Sequence, residues 1–589
     1  MAKWSTFVKG VVRDAPRWAS QAREALQRSA ARTEPLVVAA EQLLHSATAP
    51  QLAKVAAYRS ILALEAAQDL TLALVAGEEL LPLVGDSAAA HLALAGWYQR
   101  NHAIERPAEL VAQARALHAT AVATDTRVEQ QQRWLARGLP LSARPGDGAN
   151  ERTLGAGPTR AFEPTPRRIV YVAASSLPYH SAGYGARTHA IVRAVQQRGW
   201  DMHVVARPGY PNDRWDYPHW ALAPASLRID DIPYWFAPNR AKLRFARDIE
   251  GYHLDACAEL EARCRELRPA LIHAASNYNC GLMAADVGRR LGIPVVYEVR
   301  GFWHISKAAS EPSYEYSDHY RMIEGFEVQA AQAAAHVFAI TSGVANLLTD
   351  AGVAAENISL LPNAAEVATF TPMSPDASLR EKYNLGDATG ATVLGYIGSL
   401  NAYEGLDDLF TAVAALRRSA AAQQTAARSV KILIVGDGAA RAALEAQVVQ
   451  LGLADITHFT GRLPPTDVRR YYSVIDIFVL PRKPTRVCEL VSPLKPFEAM
   501  AMERCVVASN VAAQADIIDD GVTGRLFAKG DVHDFARVLH DLITDPGQRY
   551  RLGTAAGQWV RTERTWDNIA ERVDTVYRQL TDALPLQIR

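Results

Sequence analysis

The residues of this chain best suited to chemistry lie between 479 and 508, in the stretch VLPRKPTRVCELVSPLKPFEAMAMERCVVA. Lys495 and Glu498 are three positions apart, so on a helix they share one face. A cation there can hold a diphosphate, and a carboxylate there can accept a pair of ribose hydroxyls. Arg482, Lys483, Arg486 and Lys495 fall within fourteen residues, enough positive charge to receive phosphates or to make a solvated basic loop. Spacing alone also allows an ordinary capped helix carrying a surface ion pair.

Those side chains need a strand before them and a helix under them. Ile475 to Leu480 reads as a buried strand, Lys495 to Met502 as a short helix and Cys505 to Ser509 as a second strand. Pro493 and Pro496 suit a loop entering a helical first turn, where a missing N–H costs nothing. A helix that starts at the carboxyl end of a strand in an α/β sheet offers free N–H groups to a phosphate.

The same alternation runs upstream. RRIVYVAAS, MHVVARPG, LIHAAS, PVVYEVRG and HVFAITS read as buried strands separated by helical stretches from Arg167 onward. A second series begins at Thr392 with TVLGYIG, VKILIVG, ITHFTG, IDIFVLP, CVVAS and TGRLF. Two successive α/β sheets follow from this pattern. Gly183-Tyr184-Gly185 and Gly436-Asp437-Gly438 each lack the third glycine of a dinucleotide fingerprint, with Thr188 and Arg441 in its place, which argues against a nicotinamide or flavin enzyme.

Before Arg167 the pattern changes. Residues 1–140 read as a helical domain, Ala- and Leu-rich from about Glu34 to Arg137, with two similar blocks near a tetratricopeptide-like spacing or a non-repetitive bundle. Such a domain suits docking of a protein partner. Trp4, Phe7, Val8 and Val11 recur at helical spacing among Lys3, Lys9, Arg13 and Arg17; this segment could lie on an anionic membrane surface or pack on its own domain. Residues 141–166, rich in Gly and Pro, read as a linker.

Composition narrows the classes further. Of 589 residues 49% are hydrophobic and 21% charged, and Lys+Arg and Asp+Glu both number 63, so no global charge points to nucleic acid. Five scattered cysteines with no C-x-x-C pair indicate neither a disulfide framework nor a zinc site. With no apolar run of membrane-spanning length and no visible signal peptide, the expected location is cytoplasmic, with peripheral attachment at the inner face of the membrane left open.

SPLKPFEAMA resembles the nucleotide-sugar-binding motif of the family-4 retaining glycosyltransferases, and KILIVGDGAARAALEAQVVQLGLADITHFTGRL resembles their second domain. The resemblance covers about residues 167–582. It implies the GT-B fold: an acceptor domain at 167–370, a nucleotide-sugar donor domain at 371–565, and a final helix, 566–589, crossing back to the acceptor domain. It assigns ribose binding to Glu498, donor-loop positions to Ser492, Pro493 and Leu494, and base pairing to the backbone of Arg462 and Leu463. Gly183 and Gly185 correspond to the glycines that let donor and acceptor approach, and Asn363 stands in a hinge segment. Leu490 stands where the family has the first glutamate of a Glu-x7-Glu pair; the nearest carboxylate is Glu489.

Two departures shape the expected site. Ser399 and Glu404 replace the arginine and lysine that neutralise the donor diphosphate, so Lys495, Arg482 and Arg486 are the candidate replacements. Arg300, with His304 beyond it, stands where family members often carry a donor-contacting histidine; a structural ion pair with Glu298 or Glu327 is the other reading. The implied activity is transfer of a sugar from a UDP- or GDP-linked donor to a glycan or lipid-linked hydroxyl with retention, in cell-surface polysaccharide synthesis. No cofactor and no metal are implied. A catalytically silent GT-B scaffold and a nucleotide-sugar epimerase remain alternatives.

Overall fold

The computed structural model describes residues 88–117, 126–139, 162–180, 183–214, 223–237, 249–386, 390–418 and 430–582, with single positions at 74, 78, 81 and 141. The basic segment at the start of the chain, most of the first helical block and most of the 141–166 linker lie outside the described residues.

The chain divides into two compact units. The smaller comprises residues 1–140 together with 311–325. In it helices Ala88–Arg100 and Glu105–Leu117 pack together, and helix Thr126–Arg137 follows. Asp318 accepts from the N–H groups of Ile104 and Glu105 at 2.7 and 2.9 Å, capping the second helix from a distant part of the sequence. The helical unit is thus discontinuous, where a continuous segment was expected.

The larger unit holds both α/β domains. The first sheet has eight strands: β1 Arg168–Ala173, β2 Asp201–Ala206, β3 Ser226–Ile229, β4 Ile232–Trp235, β5 Leu271–Ala275, β6 Val295–Val299, β7 His336–Ala339 and β8 Ile358–Leu360. Their order is β3-β4-β2-β1-β5-β6-β7-β8, parallel except for the β3–β4 pair. The second has six parallel strands, β9 Thr392–Ile397, β10 Val430–Val435, β11 Thr457–Phe459, β12 Ile477–Leu480, β13 Cys505–Ser509 and β14 Arg525–Phe527, in the order β11-β10-β9-β12-β13-β14. Ile477, Phe478, Val479 and Leu480 are all fully buried, the condition of a parallel strand covered on both faces and the reason it reads as an unbroken apolar run. At about 25 cal/mol per Å² of apolar surface, burial of such strands drives assembly of both sheets.

Helix Trp566–Asp582 packs on the first domain, with the Tyr577 hydroxyl 2.7 Å from His273 Nδ1 and Trp200 Nε1 donating to Asp574. The two interdomain connections run side by side, since Ala365 N–H donates to the Arg564 carbonyl at 2.9 Å. Among the described residues no helix is long and apolar enough to cross a membrane. The sequence pattern misses the β3–β4 hairpin and β8; these are short, and of their residues only Ile232 and Tyr234 of β4 are buried.

Candidate active site between the two sheets

The stretch after β12 forms a short helix, Arg486–Leu490, then an extended segment, then helix Lys495–Ala501. The latter has only 7 residues, so its dipole contributes little and the side chains on its first turn must carry the electrostatics. Lys495 lies across the turn that follows β9. Its Nζ hydrogen-bonds the Tyr396 hydroxyl, sits 4.4 Å from the centre of the Tyr396 ring, and is 3.1 Å from Glu404 Oε1. Gly398 makes this possible: with φ at +153°, a Cβ there would stand 2.2 Å from Lys495 Cε. The ammonium therefore lies against Gly398-Ser399, the turn where the family resemblance places an arginine.

Glu404 is buried and shared. It accepts from Arg482 Nη2 at 3.0 Å and from Lys495. Burial alone would raise its pKa, but Arg482 and Lys495 outweigh that and hold it at about 2. Burial holds the Lys495 pKa below the usual lysine value, with the Arg482 charge adding to the effect and Glu404 and Glu498 opposing it. The three groups carry a net single positive charge.

Arg482 corrects an expectation. Its guanidinium is 7% exposed and engaged with Glu404 and the Val491 carbonyl, so it faces inward and braces the loop. Glu489 corrects another. Its carboxylate accepts from Ala512 N–H at 2.7 Å and pairs with Lys529 at 2.6 Å. Successive helical residues point about 100° apart, so a carboxylate one place before Leu490 is turned away from the Leu490 direction. Leu490 itself packs toward Gly343 of the first domain, and its carbonyl accepts from Thr341.

Glu498 is half-buried on the same face as Lys495 and accepts from the Tyr472 hydroxyl at 2.8 Å. Burial raises its pKa, against the pull of Tyr472 and Lys495. Arg462, exposed, and Leu463, partly buried, follow β11 at the carboxyl edge of the second sheet. Arg486 is exposed; burial and the Arg486 charge together push His304 down to about 3.

On the facing domain, Gly183 begins helix Gly183–Gln197 and lies beside Leu494. Gly185 is a glycine for an internal reason, since a Cβ would stand 2.1 Å from the His180 carbonyl oxygen. Arg300 is a structural cation, which settles the choice left open by the sequence. Its guanidinium is bonded to both Glu298 oxygens, Tyr171, Thr188 and the Tyr184 carbonyl, and it is 7% exposed. Burial works against charge on Glu298, but Arg300 and Arg187 hold its pKa well below the usual range.

Arg187, which no sequence motif flags, continues that network. It donates to Glu298, to the Leu361 and Pro362 carbonyls and to Asn363 Oδ1, and Asn363 Nδ2 donates to the Ser492 carbonyl at 2.8 Å. Asn363 is therefore an interdomain clamp, and Ser492 and Pro493 are buried beneath it. Tyr396 and Tyr472, also unflagged, position Lys495 and Glu498. Only their aromatic character was visible in sequence, and it reads equally as core.

The fold and these contacts meet a consistent set of likenesses. The family profile "Glycosyl transferase 4-like domain" matches residues 182–364, and "Glycosyl transferases group 1" matches residues 391–545. Together they span more than half of the chain. The chain belongs to the family-4 GT-B glycosyltransferases.

Within that family, the D-inositol 3-phosphate glycosyltransferase of Thermobifida fusca is 25% identical over 297 residues, 50% of this chain and 65% of its own length. The 2-deoxystreptamine N-acetyl-D-glucosaminyltransferase of Streptomyces fradiae is 27% identical over 384 residues, 62% of this chain and 83% of its own. The chain thus spans just under two thirds of the Thermobifida relative. Sucrose-phosphate synthase of Thermosynechococcus elongatus shares the fold at 19% identity and a TM-score of 0.57, covering 71% of this chain and 99% of its own. Anabaena HepE, solved with UDP and glucose, does so at 17% identity and 0.53, covering 70% and 100%.

Proposed function

We propose that this protein transfers a sugar from a UDP- or GDP-linked donor to a hydroxyl of a glycan or lipid-linked acceptor, with retention, in cell-surface polysaccharide synthesis. The observation that carries this reading is the placement of Lys495 and Glu498. A cation and a carboxylate share one helical turn beside the carboxyl edge of the second sheet, where α/β folds bind nucleotides. Glu498 accepts the ribose hydroxyls. Lys495, held by Tyr396 and Glu404, meets the diphosphate, and the backbone after β11 at Arg462 and Leu463 meets the base. Relatives named for D-inositol 3-phosphate and 2-deoxystreptamine support a hydroxyl-rich acceptor.

In this mechanism the bond between the sugar and the diphosphate breaks, and the departing diphosphate takes the acceptor proton on the same face. Lys495 stabilises the charge that develops on the leaving group. A preorganised donor of this kind contributes roughly 10²–10³ in rate. No cofactor is needed for this step.

The test is a screen of nucleotide-sugars by nucleotide release, followed by single-turnover kinetics. Lys495→Ala should slow turnover by about two orders of magnitude. Glu498→Gln should weaken UDP or GDP binding by roughly 1.5–3 kcal/mol with the fold intact. Turnover without any acceptor would favour an epimerase, and a folded wild type that binds no nucleotide would mark a silent scaffold.

A further inference from the structure

Away from the cleft, three side chains of the first α/β domain converge on one point. His253 and Cys257 are four apart on helix Ile249–Leu267, and Asp286 lies on the neighbouring helix Tyr278–Leu291. All three are buried, at 6%, 0% and 1% exposure. The distances are 3.4 Å from His253 Nε2 to Cys257 Sγ, 3.2 Å from His253 Nε2 to Asp286 Oδ2, and 3.6 Å from Cys257 Sγ to Asp286 Oδ2.

We infer that His253, Cys257 and Asp286 form a structural zinc site that ties these two helices together. With bonds of about 2.3 Å to sulfur and about 2.0–2.2 Å to nitrogen and oxygen, a tetrahedral zinc ion has ligand–ligand edges of about 3.3–3.6 Å. The three observed separations lie at or within about 0.2 Å of those edges, and the same three atoms account for all of them. His253 and the Cys257 thiol can each donate to Asp286 Oδ2, but that arrangement leaves Cys257 Sγ 3.4 Å from His253 Nε2 with no proton between them.

The donor set selects the metal. A thiolate, an imidazole and a carboxylate suit zinc, whereas calcium and magnesium take oxygen ligands. The charges also close. Zinc binding replaces the Cys257 S–H bond with an S–Zn bond and releases one proton to solvent, and the thiolate and Asp286 then neutralise the dication. Arg290, which donates to Asp286 Oδ2 at 3.0 Å, shares Glu261 with Arg265. Burial of all three ligands away from the cleft fits a structural role rather than a catalytic one. A search for C-x-x-C pairs overlooks it, because the cysteine is paired with a histidine one helical turn away and with an aspartate from another helix.

The experiment uses the full chain, purified without chelator. Elemental analysis should find about one zinc per chain, and removing it with a strong chelator should lower Tm, with recovery on adding zinc chloride alone. Cobalt loading should give a thiolate-to-metal absorption band. Cys257→Ser and Asp286→Asn should each abolish stoichiometric metal. Should those variants fail to fold, the wild type still decides. Absence of zinc together with no zinc-dependent change in Tm would overturn the site, as would a cobalt spectrum without the thiolate band. Unchanged zinc content in folded variants would place the metal elsewhere and overturn it too.

Discussion

Glu404 Oε1 lies 3.1 Å from Lys495 Nζ and 3.0 Å from Arg482 Nη2, so one buried carboxylate stands between two cations. The family resemblance places a lysine at position 404. Here the sign is reversed there, and the positive charge comes from the other side of the cleft wall, with Glu404 fixing where Lys495 points.

Removing that carboxylate leaves two cations facing each other. Glu404→Gln should therefore cost about 3–5 kcal/mol, read by chemical denaturation. UDP should recover more Tm in the variant than it adds to the wild type, because the diphosphate would supply the missing negative charge. Equal shifts in both proteins would place the anion elsewhere. The pH sign follows from the depressed pKa. This contribution is present above the ordinary carboxyl value of 4.5 and is lost as pH falls toward about 2.

Glu489 provides the opposite case. Its partners are the Ala512 N–H and Lys529, a lysine whose side chain is 41% exposed. Glu489→Ala should lower stability by only about 0.5–1 kcal/mol and leave kcat unchanged. A hundredfold loss of kcat in a folded variant would return Glu489 to the role of the first glutamate.

Asn363 joins the domains through both ends of its amide, accepting from Arg187 and donating to Ser492. Asn363→Ala strands a buried guanidinium N–H and a buried carbonyl, at a cost of about 1–3 kcal/mol. The variant should also show faster amide hydrogen exchange in residues 490–494. Unchanged exchange there would mean that the loop is held by its apolar contacts with Gly183, Gly301 and Gly343.

Glu327 sets a pH dependence of the other sign. Burial raises its pKa to about 7, although the Tyr297 hydroxyl and the Tyr278 N–H pull it down. The folded state then holds a proton that the unfolded chain releases near 4.5. Stability should fall as pH rises from about 4.5 to about 7 and level off above, by roughly 3 kcal/mol at 1.36 per pKa unit. Subtracting the profile of Glu327→Gln from that of the wild type isolates this group. A flat difference curve across that window would show that Glu327 stays ionised.

The two sheets were legible in the chain itself. Parallel strands buried on both faces read as nearly unbroken apolar runs, and β1, β5, β6, β7, β9, β10, β12 and β13 carry that imprint locally. The shared face of Lys495 and Glu498 was equally legible, because helical geometry converts a spacing of three into proximity. Tertiary structure alone decided which charges meet. Arg482 and Arg300 looked like phosphate ligands, yet each is sealed against a carboxylate, Glu404 and Glu298. Whether a cation faces a cleft or a core depends on distant partners, 78 positions away for Glu404 and Arg482 and 129 for Tyr171 and Arg300. The Arg187–Asn363 clamp spans 176 positions and the His253–Asp286 contact 33. Contacts of that range leave no periodic trace in the chain, since they are set by the packing of whole elements rather than by the spacing of neighbours.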